Sequence, residues 1–207
     1  EMCIRDRYSH LYLCIAGELA AVICIFDPLR AEAKDAIRAL HACGISKVVM
    51  MTGDNRRTAA SVAEEVGVDE FYAEVLPEDK AAFIRREKAA GRTVIMIGDG
   101  VNDSPALSEA DAGVAISTGA AIAREIADIT IASEDLFELV TLRRISEALM
   151  GRIHRNYRFI VGFNLGLIVF GVAGLLPPTT SALLHNASTL AISLKSMTNL
   201  LPDKKKI

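Results

Sequence analysis

No two of the four cysteines (Cys3, Cys14, Cys24, Cys43) form a CxxC pair, so neither a zinc site nor a thioredoxin-like redox motif is supported. All four fall in the first quarter of the chain, and buried thiols in a reducing compartment are the expected state. A basic excess is also missing. Against 23 Lys+Arg stand 26 Asp+Glu, a net charge of −3 with pI near 5.9, and no nucleic acid partner is expected. No signal peptide opens the chain. What the 207 residues do hold is a hydrophobic excess, 51% with mean hydropathy +0.30, concentrated after residue 156. The length suits one sizeable domain, alone or with an appendage.

The most informative stretch is 94–107, VIMIGDGVNDSPAL. Val94, Ile95, Met96 and Ile97 read as a strand buried on both faces of a parallel sheet. It stops at Gly98-Asp99-Gly100. Asn102 and Asp103 come next, then Pro105 in a first helical turn. Two acids and an amide thus share one loop at the carboxyl end of a strand, where open α/β sheets bind ligands. Hard oxygen donors there suit Mg²⁺, which keeps most of its waters and takes one or two carboxylates plus phosphate oxygens. A turn rich in Gly and Asp for its own sake is the plain alternative for GDG alone.

The opening EMCIRDRYSH is charged, aperiodic and unlike the rest of the chain. Residues 1–8 are read as a foreign leader and set aside, which makes the chain a fragment with its true upstream sequence missing. An α/β alternation then runs on: strands over 19–26, 47–51, 71–75, 94–97, 112–116 and 129–132, and helices over 30–43, 56–66, 77–90, 102–110 and 120–127. This predicts a parallel sheet covered on both faces, filling 9–134. Ser133-Glu134-Asp135 is placed to cap a linking helix over 135–157. Two uncharged runs, 159–176 and 177–194, meet at Pro177-Pro178-Thr179-Thr180, so 158–202 predicts two transmembrane helices in contact with membrane lipid. Arginines before the first and lysines in the tail 203–207 put both ends in the cytoplasm. A hydrophobic soluble hairpin is the alternative.

Three clusters carry chemistry. Thr52-Gly53-Asp54 ends its strand as Asp99 ends its own, and parallel strands bring such ends to one edge. The hydroxyl and backbone amides of Thr52 and Gly53 suit a phosphoryl oxygen, with a helix cap at Asp54 or Asn55 as the plain alternative. Lys80, in the first turn of its helix, opposes the helix dipole, so its charge has a phosphate to reach or is simply solvated. Together Lys80, Thr52, Asp99 and Asp103 form a phosphoryl-transfer site. No Asp stands in a strand-end DxxGT or DxDxT setting, so a nucleophile is missing; Asp27, in DPLR, does not match.

The ordered set TGDN (52–55), PEDK (77–80) and GDGVNDSPAL (98–107), with DPLR (27–30) before it and a hydrophobic hairpin after it, resembles the carboxyl-terminal third of a P-type ATPase. GDGVNDSPALSEADAGVAI with two hydrophobic helices after it is similar to the heavy-metal, type IB branch. The resemblance covers 16–202. It implies a haloacid-dehalogenase-like phosphorylation domain, ATP, Mg²⁺ and an aspartyl-phosphate intermediate that drives a metal ion across the membrane. By position it implies that Thr52, Gly53 and Asp54 contact the phosphoryl group, that Lys80 binds it, that Asp99 and Asp103 hold Mg²⁺, and that Gly100 and Asn102 complete the site. The DKTGT aspartate, the nucleotide-binding and actuator domains and the earlier helices with a CPC-like motif are absent. The resemblance thus implies an inactive fragment whose partner is the missing remainder of the same pump. A membrane-anchored haloacid-dehalogenase-like phosphatase and a non-catalytic membrane partner are the competing readings.

In the second hydrophobic run, His185, Asn186, Ser188 and Thr189 fall within HNAST, and Asn164 lies in the first. Polar groups in such runs are functional candidates. A His with hydroxyl or amide oxygens suits a borderline divalent cargo such as Zn²⁺, Co²⁺ or Mn²⁺ better than Cu⁺. The pattern is neither the MxxSS of copper pumps nor the DxG of zinc, cadmium and lead pumps. It is nearest to the HEGGT-like pattern of the cobalt-type group. Helix–helix packing is the alternative for Ser188 and Thr189.

Overall fold

A computed structural model of the chain describes residues 9–25, 28–98, 101–116, 125–133 and 135–201. The expected leader 1–8, Asp27, Asp99, Gly100, Glu134, most of the helix expected over 120–127 and the tail 203–207 lie outside the described residues. The chain divides into two units, Glu1–Val140 and Thr141–Ile207.

The first unit repeats strand and helix. α1 (Ala33–Ala42) precedes β3 (Val49–Met51), which leads through α2 (Arg56–Val66) to β4 (Glu70–Tyr72), and α3 (Pro77–Ala89) leads to β5 (Ile95–Gly98). A 3₁₀ turn over Val101–Asp103, α4 (Ser104–Glu109), β6 (Ala112–Ile116) and β7 (Ile129–Ile131) come after it. Local chemistry sets these bounds. Asn55 Oδ1 accepts from Thr58 N at 3.0 Å to open α2, and Gly67, at φ 81°, closes it in the left-handed region. Pro77 opens α3, where Asp79 Oδ2 accepts from Leu76 N at 3.2 Å.

Pairing is parallel but in two pieces: β4 lies on β3, and β5, β6 and β7 form a separate three-stranded sheet. The single sheet expected from the alternation is thus divided between β3 and β5 among the described residues. One small core holds both pieces. Ile84 of α3, Met96 of β5 and Ala106 and Leu107 of α4 are buried, and Met51 of β3 packs against them.

An aspartate at or just before the start of each later strand pins its neighbour. Asp69 Oδ2 accepts from Val48 N at 2.6 Å, Asp111 Oδ2 from Val94 N at 2.8 Å, and Asp128 Oδ2 from Gly113 N at 2.8 Å. All three sit at the amino ends of the strands and supply ladder ends with partners they would otherwise lack. The Val94 amide, with Lys88 beside it, holds the Asp111 carboxyl below its usual range. Arg92, 2.6 Å from Glu87, and Lys47, 2.7 Å from Glu70, do the same for those acids. Depressed carboxyls contribute stability that is complete above their unfolded value, about 4, and is lost as pH falls through the lower folded one. Melting followed from neutral pH into the acid range should therefore fall more steeply for the parent than for Asp111→Asn. Parallel curves would remove Asp111 from the acid response.

Three expectations are corrected here. The run 19–26 is not a buried parallel strand: β1 (Ser9–Ile15) and β2 (Glu18–Ile25) pair antiparallel around Ala16 and Gly17, both at positive φ as a two-residue hairpin turn requires. Nothing among the described residues covers its apolar run, and Leu19, Val22 and Ile23 are exposed. Cys14 and Cys24 lie on this ribbon and are exposed, while Cys43 is half-buried. β5 is covered on one face only, with Met96 buried while Ile95 and Ile97 are 46% and 39% exposed, and it is an edge strand among the described residues.

The second unit is a helical hairpin. Asp135 Oδ1 accepts from Phe137 N at 2.8 Å where α5 (Phe137–Val172) begins. The linking helix and the first hydrophobic run are therefore one helix. α6 (Pro178–Ser196) returns from Pro177. No helix among the described residues is long and apolar enough to cross a membrane, which corrects the two expected spans. The uncharged part of α5 runs from Phe159 to the helix end at Val172, roughly 21 Å against a hydrocarbon core of roughly 30 Å. α6 is interrupted by His185, Asn186, Ser188, Thr189, Ser193 and Lys195. The orientation drawn from the flanking basic residues then has no span to act on.

Candidate functional site

The loop after β3 folds back on itself. Thr52 Oγ1 donates to Asp54 Oδ2 at 2.9 Å, and Asp54 N donates to Thr52 Oγ1 at 3.1 Å. Thr52 N donates to Tyr72 O at 3.0 Å, continuing the ladder to β4. Of the amides expected to meet a phosphoryl oxygen, that of Thr52 is thus spent, and Gly53 carries the other. A Cβ on Gly53 would meet nothing within 4 Å, so the space above this amide is open. The helix cap is Asn55, which leaves the Asp54 carboxylate to the Thr52 hydroxyl.

Lys80 and Asp103 meet. Lys80 Nζ lies 2.7 Å from Asp103 Oδ1, and the side chains are only 16% and 12% exposed. The lysine is therefore not simply solvated. α3 packs against the 3₁₀ turn and α4, which brings its first turn to the carboxyl end of β5. A buried charge is retained only when paired, so each of these groups accounts for the other. Asn102 is exposed beside them, and Asp99 and Gly100 lie outside the described residues.

Two residues that the motif reading passed over shape this pair. A Cβ on Gly98 would stand 2.8 Å from Asp103 Cβ and Oδ2, so the absence of a side chain at 98 seats the carboxylate. A glycine ending a strand just before an acidic loop is the sequence signal for such a close approach. Next to Asp103, the Ser104 hydroxyl is buried with no partner among the described residues. Buried hydroxyls ordinarily have one, so an orphan here points to a group the site takes up.

In the hairpin, the expected cargo residues divide. His185 Nδ1 lies 2.8 Å from Asn164 Oδ1, bridging α6 and α5. With the amide oxygen accepting, Nδ1 is the donor of this bond and Nε2 is the ring nitrogen left out of it. Ser188 Oγ donates to His185 O at 2.8 Å and Thr189 Oγ1 to the same carbonyl at 3.0 Å. Both hydroxyl protons are thus turned back onto their own helix. Asn186 is exposed. No group of three His, Cys, Asp or Glu that could hold a metal ion occurs among the described residues.

Residues 5–111 match the hydrolase family described as haloacid dehalogenase-like hydrolase. The chain is 46% identical over 184 residues to the copper-transporting ATPase 2 of Rhizobium meliloti (strain 1021), covering 89% of this chain and 22% of that protein. It is 40% identical over 189 residues to the manganese-exporting P-type ATPase of Mycobacterium tuberculosis (strain ATCC 25618 / H37Rv), covering 91% and 26%. Among solved structures it is similar to a zinc-transporting PIB-type ATPase in the E2.Pi state, with a TM-score of 0.82 and 30% identity over 95% of this chain and 32% of that one. The chain spans about a quarter of the length of the curated relatives it matches. The ordered motifs imply the same family that these relatives' names carry.

Proposed function

Because the chain belongs to the haloacid dehalogenase-like hydrolases and is similar along most of its length to metal-transporting ATPases, we propose that it is one part of an ATP-driven transition-metal cation pump working through an aspartyl-phosphate. The observation that carries this reading is the half-buried Lys80–Asp103 pair at the carboxyl end of β5. A cation and a carboxylate held against each other there are the two charges that a phosphoryl group and its metal would divide between them.

The donor set fits Mg²⁺. Asp103 has one oxygen on Lys80 and a second that faces Gly98, and the orphan Ser104 hydroxyl lies beside it. Asp103 and Asp99 would hold the ion, with Asn102 and Gly100 completing the site. When bound, Mg²⁺ offsets charge on the transferring phosphoryl group. Lys80 exchanges Asp103 for a phosphoryl oxygen. The Gly53 amide holds another, and the Thr52 hydroxyl joins it by turning its one proton from Asp54 to that oxygen.

The nucleophile belongs to the remainder of the pump. β3 and β5 each keep an unpaired edge among the described residues while sharing one core, which supports entry of a further strand between them. Such a strand would end level with Thr52 and Asp103 and bring an aspartate to the same edge. The chain alone is then inactive, and its exposed edges are a liability until covered. His185 is the residue of the hairpin proposed to meet the transition-metal cargo, with Asn164 fixing its ring.

The test is to give the full-length protein ATP labelled in its γ-phosphate. An acid-stable, hydroxylamine-sensitive phosphoprotein that requires Mg²⁺ is expected. Steady hydrolysis of small phosphate esters without any phosphoprotein would assign the site to a phosphatase instead. His185→Ala should reduce metal-stimulated turnover by about tenfold, as loss of an imidazole or of its orienting partner commonly does. An unchanged metal profile would leave HNAST a packing motif.

A further inference from the structure

We propose that the cavity between α5 and α6 binds the phosphate headgroup of an anionic phospholipid. The cavity measures about 660 Å³, within the range of small-ligand sites, and lies wholly inside the second unit. Arg152, Arg155, Arg158 and Lys195 line it and no carboxylate does. Arg152 is committed to structure: its guanidinium donates to Ser196 O, Thr198 O and Asn199 O at 2.8, 2.6 and 2.9 Å. Asn156 Nδ2 donates to Ser196 Oγ at 2.9 Å beside it. This clasp fixes the carboxyl end of α6 against α5 and builds the cavity wall.

Arg155, Arg158 and Lys195 have no acidic partner among the described residues and remain available for an anion. Three like charges around one cavity repel one another, and a phosphate relieves that repulsion while matching the planar donors of arginine. Phe159 and Ile192 add an apolar part to the lining. The boundary between Arg158 and Phe159 is also where the charged part of α5 gives way to its uncharged part. A basic rim joined to an apolar part fits an amphiphile: headgroup on the arginines, chain along Phe159. This separates a lipid from inorganic phosphate, which would use the rim alone. Basic cavities between helices are recurrent headgroup sites, and each cation near an anionic surface adds to the attraction.

Flotation of the 207-residue chain tests the proposal, with vesicles of phosphatidylcholine alone or with phosphatidylglycerol added. At least about tenfold tighter binding to the anionic vesicles is expected, and the triple variant R155Q/R158Q/K195Q should lose most of that preference. It keeps Arg152 and hence the clasp, and an unchanged helical circular dichroism spectrum checks the fold. The control R143Q/R144Q removes two cations of α5 that do not line the cavity and should keep the preference. Equal losses in the two variants, or no preference by the parent chain, would overturn the site. Displacement of the chain from vesicles by millimolar inorganic phosphate, but not by equal ionic strength of chloride, would overturn the lipid and leave free phosphate as the occupant.

Discussion

Asp103→Asn is expected to lower phosphoprotein formation in the full-length protein by at least about a hundredfold, the usual scale for removing one preorganised electrostatic group from a reacting site. Asparagine keeps the volume of the side chain and one oxygen for Lys80 to donate to, so the 2.7 Å contact has a neutral counterpart. What disappears is the charge that balances the ammonium and is proposed to hold Mg²⁺. Lys80 is then an unbalanced cation in a half-buried place, at a cost of about 1–3 kcal/mol in stability. Thermal melting separates the two effects. A purely structural pair predicts a lower melting temperature with activity per folded molecule unchanged, and that result would remove Asp103 from the chemistry.

Gly98→Ala attacks the same carboxylate from the other side. The new methyl would stand 2.8 Å from Asp103 Cβ and Oδ2, far inside contact distance, so the aspartate or β5 must move. Overpacking of this kind costs about 1–3 kcal/mol. A displacement approaching 1 Å at a reacting group also costs on the order of a hundredfold in rate. Gly113→Ala is the matched comparison. There the methyl would meet the Leu107 carbonyl oxygen at 2.6 Å, between α4 and β6, and touch none of the proposed site residues. It should destabilise at least as much yet leave phosphoprotein per folded molecule nearly intact. If both variants lost activity in proportion to folding, Gly98 would be a packing glycine like the other.

The contrast between these two glycines indicates which features a linear reading recovers. Bounds set by neighbours in sequence were legible: Asn55 and Gly67 frame α2, and Pro77 and Gly91 frame α3. The residues proposed for the phosphoryl site could also be named from the sequence, because TGD, PEDK and GDGVND are each contiguous. Their mutual arrangement was not. The Lys80–Asp103 contact spans 23 positions and depends on how α3 packs against α4. Apolar runs were the weakest guide, since hydrophobicity tells what a segment gains by being covered and not whether anything covers it. Hence β2 and one face of β5 read as buried and are exposed. In the hairpin, the bonds of the Ser188 and Thr189 hydroxyls to His185 O were not legible either. The clasp by Arg152 joins positions 44–47 apart, beyond any local pattern.

The three aspartates at the amino ends of the strands have a kinetic consequence. Their bonds bridge only 21, 17 and 15 positions, so each closes between two consecutive strands of one sheet and none joins β3 to β5. Loop closure over such spans costs little chain entropy and precedes more distant pairing. Each pair can therefore index its own strands as soon as it has been synthesised, without waiting for a residue far away in the chain. The two half-sheets then reach one another already in register, and their joining becomes a docking of finished pieces rather than a search among alignments.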